Sequence, residues 1–155
     1  MKNSTLCYIE KDGCYLMLHR VKKENDCNKD KWIGIGGKFE DRESPEECVL
    51  REVYEETALT LESLMYRGIV TFVSDEWETE YMHLFTSDKF SGTLIKSEDC
   101  TEGDLEWVKI SEVKNLPLWE GDKIFLDLIA RGAPFFSLKL EYKGDVLVNH
   151  SVCLY

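Results

Sequence analysis

Residues 44–59 constrain this chain more than any other stretch. Ser44 reads as a helix cap, Pro45 suits the first helical position, and Glu47, three residues after Ser44, completes a capping box. The helix that starts here carries Glu52, Glu55 and Glu56 at i, i+3 and i+4. At about 100° per residue these carboxylates crowd one face. Leu50, Val53, Tyr54 and Thr57 share another side and are expected to form the core-facing stripe. Three like charges on one face repel each other, and they are also the oxygen-rich set that a hard divalent cation takes. In isolation such a cluster is usually a solvated acidic face. Here a glycine-rich loop, Gly34-Ile35-Gly36-Gly37-Lys38, precedes the helix. Backbone amides exposed by glycines approach phosphate oxygens closely.

The remaining pattern supplies a sheet for that helix. Thr5–Ile9 and Cys14–His19 are apolar-rich runs joined by Glu10-Lys11-Asp12-Gly13, a hairpin signal. Val21–Lys31 is charged and polar and reads as a loop. Ile33–Phe39 holds three glycines and suits a strand ending in a close-approach loop. Gly68–Val73 and Tyr81–Thr86 are β-rich, and Leu105–Ile110 reads as a short strand. A second helix is expected over Trp119–Arg131, with Ile124, Phe125, Leu128 and Ile129 at helical spacing and Gly132 to end it. Phe135–Tyr142 and Val146–Leu154 flank Lys143-Gly144-Asp145 as another hairpin. Strands interleaved with two helices predict one α/β domain over residues 1–155, built on a mixed sheet.

Composition narrows the function. Thirty acidic side chains against 19 basic ones leave a net charge of −11. That excludes binding a nucleic acid polymer through a basic face, because most such affinity comes from neutralising phosphates. An anionic ligand would need a metal ion between itself and the protein. No apolar run approaches the ~18 residues of a membrane span, and none near the N-terminus is long enough for a signal-peptide core, so no membrane partner is expected. The six cysteines include no Cys-x-x-Cys pair and several lie in apolar patterns; they read as reduced thiols of a cytoplasmic protein.

Residues 37–59, GKFEDRESPEECVLREVYEETAL, resemble the Nudix box, G-x5-E-x7-R-E-U-x-E-E-x-G-U with U aliphatic. Gly37, Glu43, Arg51, Glu52, Val53, Glu55, Glu56 and Leu59 match in register, and only the second glycine departs, as Ala58. Position 58 closes the helix, where glycine often takes a left-handed conformation. Alanine held there costs about 1 kcal/mol and removes no ligand. The resemblance implies a Nudix α/β/α sandwich with a mixed β-sheet, and a hydrolase that cleaves a phosphoanhydride by substitution at phosphorus. It implies Mg²⁺, with Mn²⁺ as a substitute, held by Gly37, Glu52, Glu55, Glu56 and Glu102, bridging to the diphosphate and activating a water. Arg51 and Glu43 would support the catalytic helix through ionic and hydrogen bonds. One of the helix glutamates or Glu102 would serve as general base. Glu102-Gly103 is similar to the Glu-Gly that follows a loop in MutT-type members; Glu102 also reads as a plain loop carboxylate beside Glu98 and Asp99.

Beyond the box, residues 31–40 and 116–122 are similar to the MutT/MutX branch, whose members hydrolyse oxidised purine nucleoside triphosphates such as 8-oxo-dGTP to the monophosphate and pyrophosphate. A nucleoside triphosphate substrate and a role in DNA repair, as a sanitiser of the nucleotide pool, are what this implies. Gly36, Gly37, Lys38 and Arg20 are candidates for the phosphates. Trp119 is a candidate to stack on the base, and Asp122 to accept from a purine N–H. By residue chemistry alone Trp119 also reads as core, Asp122 as a helix-dipole partner, and Arg20 as a strand-edge residue. Lys22 and Lys23 read as a solvated loop that could attract polyphosphate. Two positions depart from some oxidised-purine hydrolases: Ile33 stands where those carry an Asn, and Gly121 precedes a single Asp122 where those have paired aspartates. The rival readings are a Nudix hydrolase of ADP-ribose or another X-linked diphosphate, and a non-catalytic Nudix sensor. Intact metal glutamates speak against the sensor. Monomer and homodimer both stay open.

Overall fold

Asp12 and Gly13 both have positive φ, 52° and 75°. They close a two-residue turn of the kind that matches the twist of a tight hairpin. The computed structural model describes residues 1–155, and this turn joins its first two strands, β1 (Lys2–Lys11) and β2 (Cys14–His19). Their link is shorter than the expected four residues because Glu10 and Lys11 stay in the ladder, opposite Tyr15 and Cys14.

The glycine loop departs from expectation. Strand β3 covers only Trp32–Ile33, not Ile33–Phe39. Beyond it the chain makes isolated bridges, Ile35 to Cys7 and Lys38 to Ser4. The cause is steric. A Cβ on Gly36 would fall 1.9 Å from the Thr5 carbonyl oxygen, and one on Gly34 2.7 Å from that of Cys7. The loop is pressed against the backbone of β1, and only glycine permits that approach.

Helix α1 (Pro45–Thr57) starts as its sequence predicts, with the Ser44 and Glu47 capping box formed in both directions. It ends with Ala58 in the left-handed conformation at φ 65°. The core-facing stripe is corrected. Val53 and Thr57 are buried, but Leu50 and Tyr54 are exposed, and Cys48, Val49 and Glu56 take the inner side instead. The helix is turned so that its carboxylate edge meets the glycine loop, and two apolar side chains are left in water as a result.

There follow β4 (Thr60–Leu61), β5 (Met65–Ser74), β6 (Glu80–Ser87) and β7 (Phe90–Ser91), the first and last pairing as a small separate ladder. Next are β8 (Asp104–Lys109), a short helix α2 (Ile110–Val113) that the pattern did not announce, and α3 (Glu120–Ala130). The closing hairpin is β9 (Phe136–Lys143) and β10 (Val146–Leu154). The main sheet runs β10-β9-β5-β6-β1-β2-β3, with β8 also paired to β2. It is mixed: β1 with β6 and β5 with β9 are parallel, and the other pairs are antiparallel.

Alternation along β1 shows the layers. Leu6 and Tyr8 face Phe125, Leu128 and Ile129 of α3, while Cys7 and Ile9 face Val49 and Val53 of α1. Both faces of the sheet are therefore covered, giving an α/β/α sandwich. Each fully buried large apolar side chain contributes about 1.5–3 kcal/mol to holding these layers together. No helix is long and apolar enough to cross a membrane.

Candidate active site

The site forms where α1 crosses the glycine loop. A Cβ on Gly37 would lie 2.5 Å from the Glu52 carboxyl group, so the bare glycine backbone leaves the space that this carboxylate fills. Gly37 is itself held to β1, its carbonyl accepting from the Thr5 amide at 2.9 Å. Arg51 braces the arrangement. Its guanidinium donates to both oxygens of Glu43, at 2.7 and 2.9 Å, and to the Lys38 carbonyl at 3.0 Å. Its remaining donors reach Glu52 at 2.7 Å and Glu55 at 3.1 Å. The Arg51 hydrogen bonds hold Glu43 down to about 2 and push Arg51 up. Glu43 also accepts from the Glu40 amide, so it ties the loop before the helix to the helix itself.

The three helix carboxylates differ in environment. Glu55 is exposed, Glu52 is mostly covered, and Glu56 is buried at 8 % exposure. Burial raises Glu52 and raises Glu56 well above the ordinary carboxyl value. One oxygen of Glu56, Oε2, is buried with no hydrogen-bond partner. The charge of Glu102, forty-six residues further along the chain, raises both Glu52 and Glu56, which places it beside the helix carboxylates. Glu102 pairs with Lys23 at 2.7 Å and with Arg20 at 3.6 Å. Lys22 donates to the Ser97 and Cys100 carbonyls, so the 21–31 loop and the loop carrying Glu102 are latched together rather than separately solvated. The carboxylates do not form a closed ligand cluster: no three His, Cys, Asp or Glu side chains sit at metal-holding distance, since Arg51 draws Glu52 and Glu55 to itself.

Beside this helix opens a cavity of about 400 Å³. Arg20, Gly36, Gly37, Lys38, Trp119 and Asp122 all line it, although they come from three separate stretches of sequence. Ile33 lines it too. Asp122 is 5 % exposed, and burial pushes its carboxyl up to about 8, with Lys31 pulling the other way. This favours the protonated form, which adds an O–H donor to the acceptor oxygen expected from sequence. Trp119 is also 5 % exposed and is built into the core. The edges of Phe72 and Tyr142 meet it, its indole N–H donates to Asn28 at 2.8 Å, and the Lys31 ammonium lies 4.6 Å from the ring centroid. Gly121 has a steric reason: a Cβ there would fall 2.4 Å from Leu140 and 2.7 Å from the Tyr142 hydroxyl, which accepts its N–H.

Several lining residues were not singled out from sequence: Asn28, Phe72, Trp77 and Met82. Phe72 and Met82 sit on strands, where alternation reads as ordinary core. Asn28 lies in the polar 21–31 loop, which carries no pattern of its own; the loop is closed by Arg20 to Lys31 and Asp30 to Arg20 backbone bonds and by an Arg20–Asp26 ion pair at 2.6 Å.

Comparison with known proteins agrees with this geometry. The chain is 29% identical over 136 residues to the uncharacterized Nudix hydrolase YvcI of Bacillus subtilis, covering 85% of this chain and 81% of that one. It is 28% identical over 124 residues to the oxidized purine nucleoside triphosphate hydrolase of Danio rerio, covering 79% and 77%. The crystal structure of a MutT protein from Bacillus halodurans superposes with a TM-score of 0.86 at 27% identity, covering 98% of this chain and 97% of that one. The family model described as the NUDIX domain matches residues 3–129, from β1 into the last turn of α3. The glycine loop, the braced helix and the sheet strands from β1 to β8 lie inside the matched region, and the chain belongs to the Nudix family.

Proposed function

We propose that this Nudix hydrolase cleaves purine nucleoside triphosphates to the monophosphate and pyrophosphate, with oxidised forms such as 8-oxo-dGTP as its preferred substrates. The observation that carries this reading is the single cavity that joins buried Asp122, its carboxyl raised by burial, to Gly36, Gly37 and Lys38 beside the carboxylate helix. A purine presents both donors and acceptors on its edge, and a neutral carboxylic acid pairs with either. The similarity to an oxidized purine nucleoside triphosphate hydrolase supports the same substrate class. Removal of such nucleotides in the cytoplasm would spare DNA from repair.

The residues present fit a divalent cation. The Glu56 oxygen without a partner, the raised Glu52 beside it and nearby Glu102 are hard oxygen donors in a site that resists their charge. Mg²⁺, for which Mn²⁺ can substitute, would be held by Glu52, Glu55, Glu56, Glu102 and the Gly37 backbone. When bound it supplies charge neutralisation of the polyphosphate and activation of water. The protein does the rest. Arg51 and Glu43 orient the helix, and the glycine loop admits phosphate oxygens close to backbone. Arg20 and Lys38 offer positive charge at the polyphosphate. One of the helix glutamates or Glu102 takes the proton of the attacking water.

The test is kcat/KM for 8-oxo-dGTP, dGTP and ADP-ribose in one assay with products identified, alongside Glu52→Gln. Preference for 8-oxo-dGTP with release of pyrophosphate supports the reading, and equal rates on dGTP reduce it to a general nucleotide pyrophosphatase. Turnover confined to ADP-ribose rejects the substrate, and a wild type without turnover points to a sensor.

A further inference from the structure

The fold accounts for three of the four tryptophans. Trp32 stacks on His19, rings 4.4 Å apart and 3° from parallel, and packs against the α3-side core. Trp107 lies on Phe90 and packs against the α1-side core. Trp119 is buried in the α3-side core. Trp77 is different. It belongs to neither buried core cluster and pairs with no other ring, it is 40 % exposed, and it still lines the cavity.

Its position is nevertheless fixed. Trp77 sits in the turn between β5 and β6, where the Ser74 hydroxyl accepts from the Glu76 amide at 3.0 Å and the Trp77 amide at 3.1 Å. Asp75 accepts from the Gly144 amide at 2.9 Å, tying this turn to the one between β9 and β10, and the Lys2 amide donates to Thr79. A large apolar ring held half in water by a braced turn contributes little to folding. Its cost is offset when the ring meets a ligand.

We propose that Trp77 is the residue that stacks on the substrate base and sets the preference for a purine over a smaller ring; this rests on the nucleotide reading of the cavity. Trp119 has little surface left for that task, with Lys31 over its ring, two aromatic edges against it and its N–H committed to Asn28. Trp77 is 40 % exposed on a turn whose backbone is already ordered, and it shares the cavity lining with the apolar Met82 and Phe72. Purines offer more overlap to an indole than pyrimidines, so the discrimination follows from area rather than from hydrogen bonding.

Steady-state kinetics of Trp77→Ala and Trp77→Phe on dGTP and dCTP, with a dGMP titration of the full chain read by indole fluorescence, test this. Trp77→Ala is expected to raise KM for dGTP by roughly 5- to 150-fold, the range for loss of one base–aromatic stack. The rise should fall on KM rather than kcat, and the dGTP-to-dCTP ratio of kcat/KM should move toward one. Trp77→Phe, which keeps a ring, should restore most of the KM. Quenching of emission by dGMP should be present in the wild type and much reduced in Trp77→Phe. An unchanged KM in Trp77→Ala with active wild type overturns the role of Trp77 alone. A wild type that neither binds dGMP nor hydrolyses dGTP overturns the nucleotide reading and this proposal with it.

Discussion

Both oxygens of Glu43 are held by one guanidinium, that of Arg51, at 2.7 and 2.9 Å. The pair joins the loop before α1 to its middle turn, and from there Arg51 reaches the Lys38 carbonyl, Glu52 and Glu55. It is a brace for the carboxylate-bearing helix. Its geometry makes its removal felt both in stability and in turnover.

Glu43→Gln is expected to lower stability by about 2 kcal/mol, the scale of a hydrogen-bonded charge pair, with a smaller loss of turnover. The effect depends on pH. Glu43 titrates at about 2 in the folded protein against an ordinary 4.5, so its contribution is fully present above about 4.5 and fades as pH falls toward 2. Urea unfolding of the two proteins between pH 7 and pH 2.5 should show the gap closing at the acid end.

Glu56→Gln should separate stability from activity. The wild-type carboxyl is buried with one unpartnered oxygen and is raised well above its ordinary value. Metal-free wild type therefore loses stability as pH climbs above about 4.5, where the unfolded chain ionises this group freely and the folded chain resists. The Gln variant should lack that part of the slope and melt higher than wild type at alkaline pH. Turnover should fall at least about 100-fold. Mg²⁺ at a hundred times its Kd should stabilise the wild type by about 2.7 kcal/mol and the variant by clearly less, which calorimetry with and without chelator measures.

Asp122 predicts a pH effect on substrate binding. Neutral below about 8, it presents an O–H and a carbonyl oxygen; above about 8 it accepts only. KM for the purine triphosphate should change as pH passes through about 8, and Asp122→Asn should remove that change. Asp122→Ala should raise KM about tenfold, the scale of one buried hydrogen bond. Stability carries the same signature: the wild type loses it between the ordinary carboxyl value and about 8, and Asp122→Asn flattens that interval.

Ala58 offers a stabilising change. It sits at φ 65° after α1, where a Cβ is strained and glycine is not. Ala58→Gly is expected to raise stability by about 1 kcal/mol, with kcat and KM as in the wild type, because position 58 holds no ligand. Chemical denaturation with matched m-values checks it.

Local signals were legible wherever the cause was local. The Ser44–Glu47 capping box and Pro45 placed the start of α1, and the match of Gly37 to Leu59 placed Arg51 and the carboxylates on one helix. Turn chemistry at Asp12-Gly13 and Lys143-Gly144-Asp145 placed both hairpins. The stripe on α1 was misread because Leu50 and Tyr54 look like core to a hydropathy pattern, while the side actually buried carries Glu56. Ile33–Phe39 was misread as strand because the contact that bends it away, glycine backbone on the backbone of β1, leaves no mark in side-chain alternation.

The sequence by itself determined the chemistry: three glutamates and an arginine at fixed helical offsets are brought to one place by 1.5 Å of rise and 100° of turn per residue. The tertiary structure decided which of those groups lose water. Glu56 and Asp122 are buried by side chains and backbone remote in sequence, and that desolvation, not the residue type, raises both carboxyls above the ordinary carboxyl range. It also decided that, of the two tryptophans lining the cavity, Trp119 is buried and Trp77 exposed, since Phe72, Tyr142 and Asn28 close over Trp119 only when β5, β9 and the 21–31 loop meet. Burial is a sum over neighbours contributed by the whole chain, and no local window of residues contains it.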